Sequence, residues 1–561
     1  MSNALVSKEN DCRSCYKCIR VCPTKSISFQ NGQASIIADE CVMCGACYLA
    51  CPQSCKVIRD DTAKALSLLA KEKVYASVAP SFLAAFPGSS FKTMKEALLK
   101  LGFAAVEETA VGATIVKKEY DALCDEKHDV IISTCCHSLN LLIEKHYPDA
   151  AKYLAPVLSP MLAHGKDIKR RDPSAKVIFL GPCISKKNEI EMYPDYVDCV
   201  LTFIELKRLL KDKNIEVAVS TETVKDNETK ARLFPIDGGI LLTMKRDNPS
   251  YTYLSCSGME NCIAAIKDVL NGKVHKTFIE MSSCAGSCIN GPALSAEPHL
   301  IESNLRIREE AGREDFPVKS YSHEEVAKRL PAYSVLSLTP SEDAIKEVLA
   351  KIGKTKKKDE LNCSSCGYAS CRDKAIAVLK GKASLEMCLP YLMERARSFS
   401  NNIVENSDAA IVVTDENLKI QLANPAFSHL IHAVDSASLI GQPISSLLDE
   451  ELFSLALGSV PTRGKKIYLS AYNAYVEANV TYDPHYHIII ASFHDVTSLE
   501  MERQKEEAVA KETSRVTSEV IEKNMRAVQE IASLLGQSAA ETKVALTELE
   551  KALNKDHGKD E

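Results

Sequence analysis

Residues 12–52 read CRSCYKCIRVCPTKSISFQNGQASIIADECVMCGACYLACP, and two cysteine runs within them decide what the first domain is built around. Each run has the form C-x2-C-x2-C-x3-C-P: Cys12, Cys15, Cys18 and Cys22 before Pro23, then Cys41, Cys44, Cys47 and Cys51 before Pro52. Gaps of two residues let three thiolates turn into one pocket, where nearby backbone N–H groups can donate to sulfur. One zinc ion takes only four ligands, so two such runs exceed its needs and iron–sulfur clusters are expected. Cys55 lies just outside the second run and reads as a spare packing thiol.

The whole chain fits that chemistry. At 561 residues it exceeds one core, and about 100–200 residues per domain predicts roughly three to five units. A net charge of −6 gives no electrostatic footprint for nucleic acid. The N-terminal MSNALVSKENDC has no apolar core, and no apolar run reaches the roughly 18 residues of a membrane span. Neither export nor membrane insertion is expected. The 22 cysteines then point to metal ligation in the reducing cytoplasm rather than to disulfides.

Beyond the first domain the texture changes by segments, so the expected fold class is multidomain α/β and α+β. From about Val74, apolar runs such as KVYASVAP, HDVIIST and AKVIFLGP alternate with amphipathic helices, which reads as α/β. SLTPSEDAIKEVLAKIG reads as a capped helix before the basic linker KTKKKDE. A short cysteine-bearing unit, a small α+β module and a polar helical tail follow. The expected domains are 1–60, 70–345, 346–397, 398–498 and 499–561.

The doubled run resembles the bacterial ferredoxins, in which the fourth cysteine of each run serves the other cluster. That resemblance implies one 4Fe-4S cluster on Cys12, Cys15, Cys18 and Cys51, and a second on Cys41, Cys44, Cys47 and Cys22.

Three later segments carry a second resemblance: Ser133-Thr134-Cys135-Cys136, Gly181-Pro182-Cys183-Ile184-Ser185-Lys186-Lys187-Asn188-Glu189, and Glu280-Met281-Ser282-Ser283-Cys284-Ala285-Gly286-Ser287-Cys288-Ile289-Asn290-Gly291. Together they resemble the signature loops of the FeFe-hydrogenase catalytic domain. The resemblance implies an H-cluster, a 4Fe-4S cubane bridged to a two-iron unit carrying CO, cyanide and azadithiolate. Cys136, Cys183, Cys284 and Cys288 would hold the cubane, with Cys288 as the bridge. Lys186 matches the lysine that donates to a distal cyanide, and Pro80 with Ser81 the stretch at the other cyanide. Cys135 matches the proton-carrying thiol, a role open to a thiol of suitable pKa and distance. Glu108 matches one of two glutamates of the outward proton path, the second being replaced by Val111. Gly181 and Ser282 stand for methionines of the fast enzymes and Met161 for a glutamine, which resembles the sensory branch, where turnover is low.

Cys363-x2-Cys366-Gly367-Tyr368-x2-Cys371-x16-Cys388 resembles a small 4Fe-4S module of electron-transfer proteins, although four thiolates also suit zinc. Residues 399–498 resemble a PAS domain in IVVTDENLKIQLANPAF and in Phe493-His494-Asp495-Val496-Thr497. His429 and His432 read as surface or capping residues rather than haem ligands. Ile521, Met525, Val528, Ala532, Leu535, Ala539, Thr542, Leu546, Leu549 and Leu553 recur on a 4-3 spacing, a coiled-coil seam that predicts a homodimer, with Gly536 as a flexible interruption.

The expected function is a sensory hydrogenase that splits H2 reversibly into protons and electrons and passes its redox state to the PAS part. A signalling partner in trans, a kinase or phosphatase, would receive the output. The alternatives are a metabolic hydrogenase exchanging electrons with ferredoxin, and a non-catalytic cluster-bearing scaffold.

Overall fold

The computed structural model describes residues 4–8, 11–126, 128–220, 227, 229–294, 300–330, 335, 339–458 and 460–553. They divide into one unit up to Leu392 and a second from Met393.

Parallel strands order the first unit. Ala105–Glu108, Val74–Val78, Lys176–Gly181 and Cys199–Thr202 lie side by side in one sheet, and Thr252–Ser257, Thr277–Ser282 and Val130–Ile132 form another. Helices cover such sheets on both faces, so their strands are continuous apolar runs. Val130–Ile132 is buried throughout, and Lys176–Gly181 is buried at every residue but the first.

The strand directions place the loops. Val74–Val78 leads to Pro80 and Ser81, Val130–Ile132 to Cys135 and Cys136, Lys176–Gly181 to Cys183, and Thr277–Ser282 to Cys284 and Cys288. All of these leave carboxyl ends of parallel strands, where open α/β sheets bind ligands.

The helix Ala110–Asp125 crosses the helix Pro160–Arg171 at Gly112. A Cβ on Gly112 would stand 2.1 Å from the Pro160 carbonyl oxygen and 2.7 Å from His164 Cβ. Gly112→Ala is therefore expected to cost about 1–3 kcal/mol through overpacking. A lowered thermal midpoint checks this, and an unchanged melt contradicts so close a crossing.

The N-terminal cysteine region is a doubled structure. Leu5–Ser7 pairs with Lys56–Ile58 and Ile27–Gln30 with Gln33–Ile36, both antiparallel. The short helices Lys17–Val21 and Ala46–Ala50 follow matching left-handed turns, Ser14 and Tyr16 in one half, Met43 and Gly45 in the other.

Four expected boundaries cut helices and are corrected, the start at 70 falling inside Thr62–Lys71 and the break at 498/499 inside Thr497–Leu553. The break at 345/346 falls inside the helix Glu342–Lys351, whose Ile345, Val348 and Leu349 pack with Ala375 and Cys388 of the cysteine unit. Ser341 caps it by accepting from the Ala344 N–H at 3.3 Å. The break at 397/398 falls inside the helix Leu389–Glu405, which opens with Pro390 in its first turn, where proline is tolerated. The KTKKKDE stretch is no free linker, because Lys354 is buried and donates to the Asp359 carbonyl at 2.7 Å.

The second unit holds a five-stranded antiparallel sheet in the order Ile420–Ala423, Ala410–Asp415, Ile488–Asp495, Ala474–Asp483, Thr462–Leu469. Phe427, Phe453 and Phe493 fill its core. Asn424 explains its motif position: its carboxamide accepts from the Ile411 and Phe427 N–H groups at 2.8 and 2.9 Å and donates to the Ala409 carbonyl at 2.8 Å. Asp415 closes the strand turn by accepting from Asn417 and Lys419. His432, in a left-handed conformation, packs its ring near Tyr472.

Asp495 accepts from the Thr497 N–H at 2.8 Å, where the helix Thr497–Leu553 begins. Its 57 residues, all exposed from Met501 onward, span about 85 Å at 1.5 Å per residue. The helix runs unbroken through Gly536. One glycine costs only about 1 kcal/mol against alanine, too little to break so long a helix. Among the described residues no helix is long and apolar enough to cross a membrane.

Candidate metal centre

Cys136, Cys183, Cys284 and Cys288 come from three loops on two sheets, and the fold turns their sulfurs toward one another. Burial raises the Cys183, Cys284 and Cys288 thiols above the ordinary range, and each feels the others: Cys284 faces Cys183, Cys136 and Cys288, and Cys288 faces Cys136 and Cys183. Ser283 ties two of them, its hydroxyl lying 3.4 Å from Cys136 Sγ and 3.9 Å from Cys284 Sγ. Cys288 lies deep in the unit yet keeps an accessible face.

Around this group sits a buried ionic cluster. Lys186 Nζ donates to the Cys135 carbonyl at 3.1 Å and to Glu189 at 2.5 Å. Lys328 reaches the other Glu189 oxygen at 2.6 Å, and the Ser159 hydroxyl donates to Glu189 at 3.0 Å. Despite full burial, the ammoniums of Lys186 and Lys328 hold the Glu189 carboxyl well below its usual range. His137 lies 3.9 Å from the same carboxylate, and burial pushes its imidazole down to about 4.

The thiol of Cys135 meets Tyr120, whose hydroxyl is 3.2 Å from Sγ and accepts from the Thr134 N–H at 2.9 Å. Burial pushes Cys135 up to about 12. Glu280 is buried nearby, accepts from the Leu241 N–H at 3.1 Å, and is pushed up to about 8 by desolvation. Ser81 is 1% exposed, and among the described residues its hydroxyl has no hydrogen-bond partner.

Glu108 lies in a buried ion pair. Both its oxygens are taken by Arg232, at 2.5 and 2.7 Å, so the carboxylate is committed to a buried ion pair and the hydrogen-bond partner of Cys135 is Tyr120. Sequence reading missed Tyr120 because it looks like an ordinary core aromatic of a helix.

The other cysteine sets also gather. Cys22, Cys41, Cys44 and Cys47 line one pocket, which contains the crossed cysteine that the ferredoxin resemblance implied. Cys18 faces Cys12 and Cys15, and Cys55, buried, accompanies Cys51 and Cys12. Cys363, Cys366, Cys371 and Cys388 line another pocket. Among the described residues no trio of His, Cys, Asp or Glu is tight enough to hold a single metal ion. Thiolate sets of this make-up fit iron–sulfur clusters, whose cage is wider than one ion.

The N-terminal cysteine region abuts the loops that carry Cys284 and Pro292. Cys22 and Cys44 share a cleft with Ser283, Cys284 and Pro292. Gly45 permits the contact, for at its φ of +79° a Cβ would come within 2.5 Å of Pro292.

Comparisons with known proteins agree with this layout. Residues 72–292 match the model described as iron only hydrogenase large subunit, C-terminal domain. Residues 4–52 match a 4Fe-4S dicluster domain, 359–390 an Fe-S cluster model, and 398–462 a PAS domain. Iron hydrogenase 1 of Clostridium pasteurianum is 23% identical over 265 residues, 37% of this chain and 46% of that protein, so the chain spans about half the length of this curated relative. An FeFe-hydrogenase variant from Chlamydomonas reinhardtii matches 49% of this chain and 100% of its own, at 17% identity and a TM-score of 0.40. The PAS domain of nitrogen regulation protein NR(II) from Vibrio parahaemolyticus matches 17% of this chain and 96% of its own, at 20% identity and a TM-score of 0.15. The chain thus carries the catalytic-domain fold of the iron-only hydrogenases, preceded by a 4Fe-4S dicluster domain and followed by an Fe-S cluster segment and a PAS domain.

Proposed function

We propose that this chain is a sensory hydrogenase of low turnover, whose redox state is handed to its PAS part and from there to a signalling protein in trans. The observation that carries the reading is the gathering of Cys136, Cys183, Cys284 and Cys288 beside the Cys135 thiol, in a chain that also holds a PAS domain. Bound there, a cubane with its two-iron unit would supply hydrogen cleavage, and the remaining clusters one-electron transfer.

The chain's own residues do the rest. The four cysteines would hold the cubane, and Cys288 is the thiolate that would also serve the two-iron unit. Lys186, its ammonium fixed by Glu189, and Ser81, whose hydroxyl has no partner among the described residues, supply donors for anionic diatomic ligands. Cys135 holds and gives up a proton at Sγ, and the Tyr120 hydroxyl is its next partner. A tyrosine there, with Glu108 locked to Arg232, supports slow proton exit. The exposed seam of the helix Thr497–Leu553 suits a second copy of the chain.

The test is infrared spectroscopy of matured protein. Carbon monoxide and cyanide bands are expected, with hydrogen oxidation and evolution both slow beside a metabolic enzyme. Absence of the bands after maturation would overturn the catalytic reading, and fast turnover would overturn the sensory one.

A further inference from the structure

The pocket of Cys363, Cys366, Cys371 and Cys388 is unusual in its charge. Two lysines line it, Lys374 at 1% and Lys354 at 8% exposure, and among the described residues no carboxylate does. Each ammonium donates to a backbone carbonyl, Lys374 to Leu385 at 2.9 Å and Lys354 to Asp359 at 2.7 Å. Among the described residues neither is paired with a carboxylate, and Glu386, the acidic group that Lys374 feels, is exposed. A buried lysine without an anion is costly. Four thiolates around a 4Fe-4S core carry a net charge of about −2 when oxidised and about −3 when reduced, which supplies the missing anion.

The pocket also lies between two other parts of the chain. Toward the dicluster, Lys25 Nζ donates to the Ile19 and Arg20 carbonyls, both at 2.9 Å, and to Gly367 at 3.2 Å. Arg20 donates to the Ser364 and Ser365 carbonyls at 3.3 and 3.4 Å. Cys18, Ile19 and Cys47 share one core with Tyr368, Ala377 and Met387. On its other side the pocket is walled by Leu389 and Pro390, the first residues of the helix Leu389–Glu405.

We propose that the cluster held by Cys363, Cys366, Cys371 and Cys388 ends the electron path, that Lys374 is the fixed counter-charge holding its electron, and that the helix Leu389–Glu405 reads that charge. The inference rests on the proposed function for its source of electrons. One H2 gives two protons and two electrons; one electron lowers this core from 2+ to 1+, the other stays on a dicluster site, and the protons leave to solvent. The added negative charge falls beside a helix start, where anions are favoured.

The experiment uses the full chain reconstituted with iron and sulfide, without the two-iron unit, and poised with dithionite under electron paramagnetic resonance. Cys388→Ala identifies the signal of this cluster. Lys374→Met is expected to lower the midpoint potential of that signal and leave the dicluster signals in place, whereas Lys374→Arg keeps it near wild type. Lys354→Met carries the same expectation and serves if Lys374→Met fails to take up iron. Hydrogen–deuterium exchange over residues 389–405 is expected to differ between oxidised and reduced wild type, but not in Cys388→Ala. An unmoved midpoint overturns the counter-charge, and equal exchange in both redox states overturns the readout. Because dithionite replaces hydrogen, failure here leaves hydrogen cleavage untouched, and a failed infrared test leaves this result standing.

Discussion

Cys135→Ala in matured protein is expected to lower hydrogen oxidation and evolution by about 10²–10⁴-fold, the usual share of a positioned proton carrier, with the carbonyl and cyanide bands retained. The argument is local. Cys135 neighbours the ligand Cys136, its sulfur is 3.2 Å from the Tyr120 hydroxyl, and its carbonyl accepts from Lys186. Alanine keeps that carbonyl and removes only the thiol. Burial favours the neutral thiol, so the resting side chain holds a proton ready to give. Unchanged turnover with intact bands would move the proton route away from Cys135.

Glu189→Leu is expected to destabilise the first unit by about 3–5 kcal/mol, the cost of stranding buried ammonium groups. Lys186 and Lys328 both lose the carboxylate that neutralises them, and the Ser159 hydroxyl loses its acceptor. Because cluster proteins unfold irreversibly, the measurement is the thermal midpoint and the unfolding half-life of the full chain at fixed scan rate. Lys328→Met added to Glu189→Leu is expected to recover part of the loss, since it removes one stranded charge. The pH dependence has a definite sign. The folded Glu189 carboxyl titrates below its unfolded value, so its stabilisation is fully present above the ordinary glutamate range, declines below it, and is lost as pH falls through the depressed folded value. A Glu189→Leu protein as stable as wild type at pH 7 would contradict the ionic cluster.

The cysteine positions were legible because ligand spacing is local: C-x2-C-x2-C states its geometry within seven residues, and the left-handed turns at Ser14, Tyr16, Met43 and Gly45 repeat it in both halves. The catalytic loops were legible as motifs because each directly follows a buried apolar strand. Contacts between distant segments were not. That Arg232, far along the chain, binds both oxygens of Glu108 could not be read from the local motif. Tyr120 gives no local signal, since only the fold brings it to Cys135. Lys374 reads as a surface lysine in CRDKAIAVLK, yet helix packing seals it at 1% exposure. The misplaced boundaries share a cause: each was set at a change of sequence texture, and the helices run across it.

The helix Thr497–Leu553 has a mechanical consequence. A rigid rod of about 85 Å amplifies angle into distance, so a tilt of about 10° at Thr497 would sweep its tip through about 15 Å. A sub-ångström adjustment at the Asp495–Thr497 pivot is thereby geared up to the dimension of a whole recognition surface. The lever needs no large rearrangement at its fulcrum.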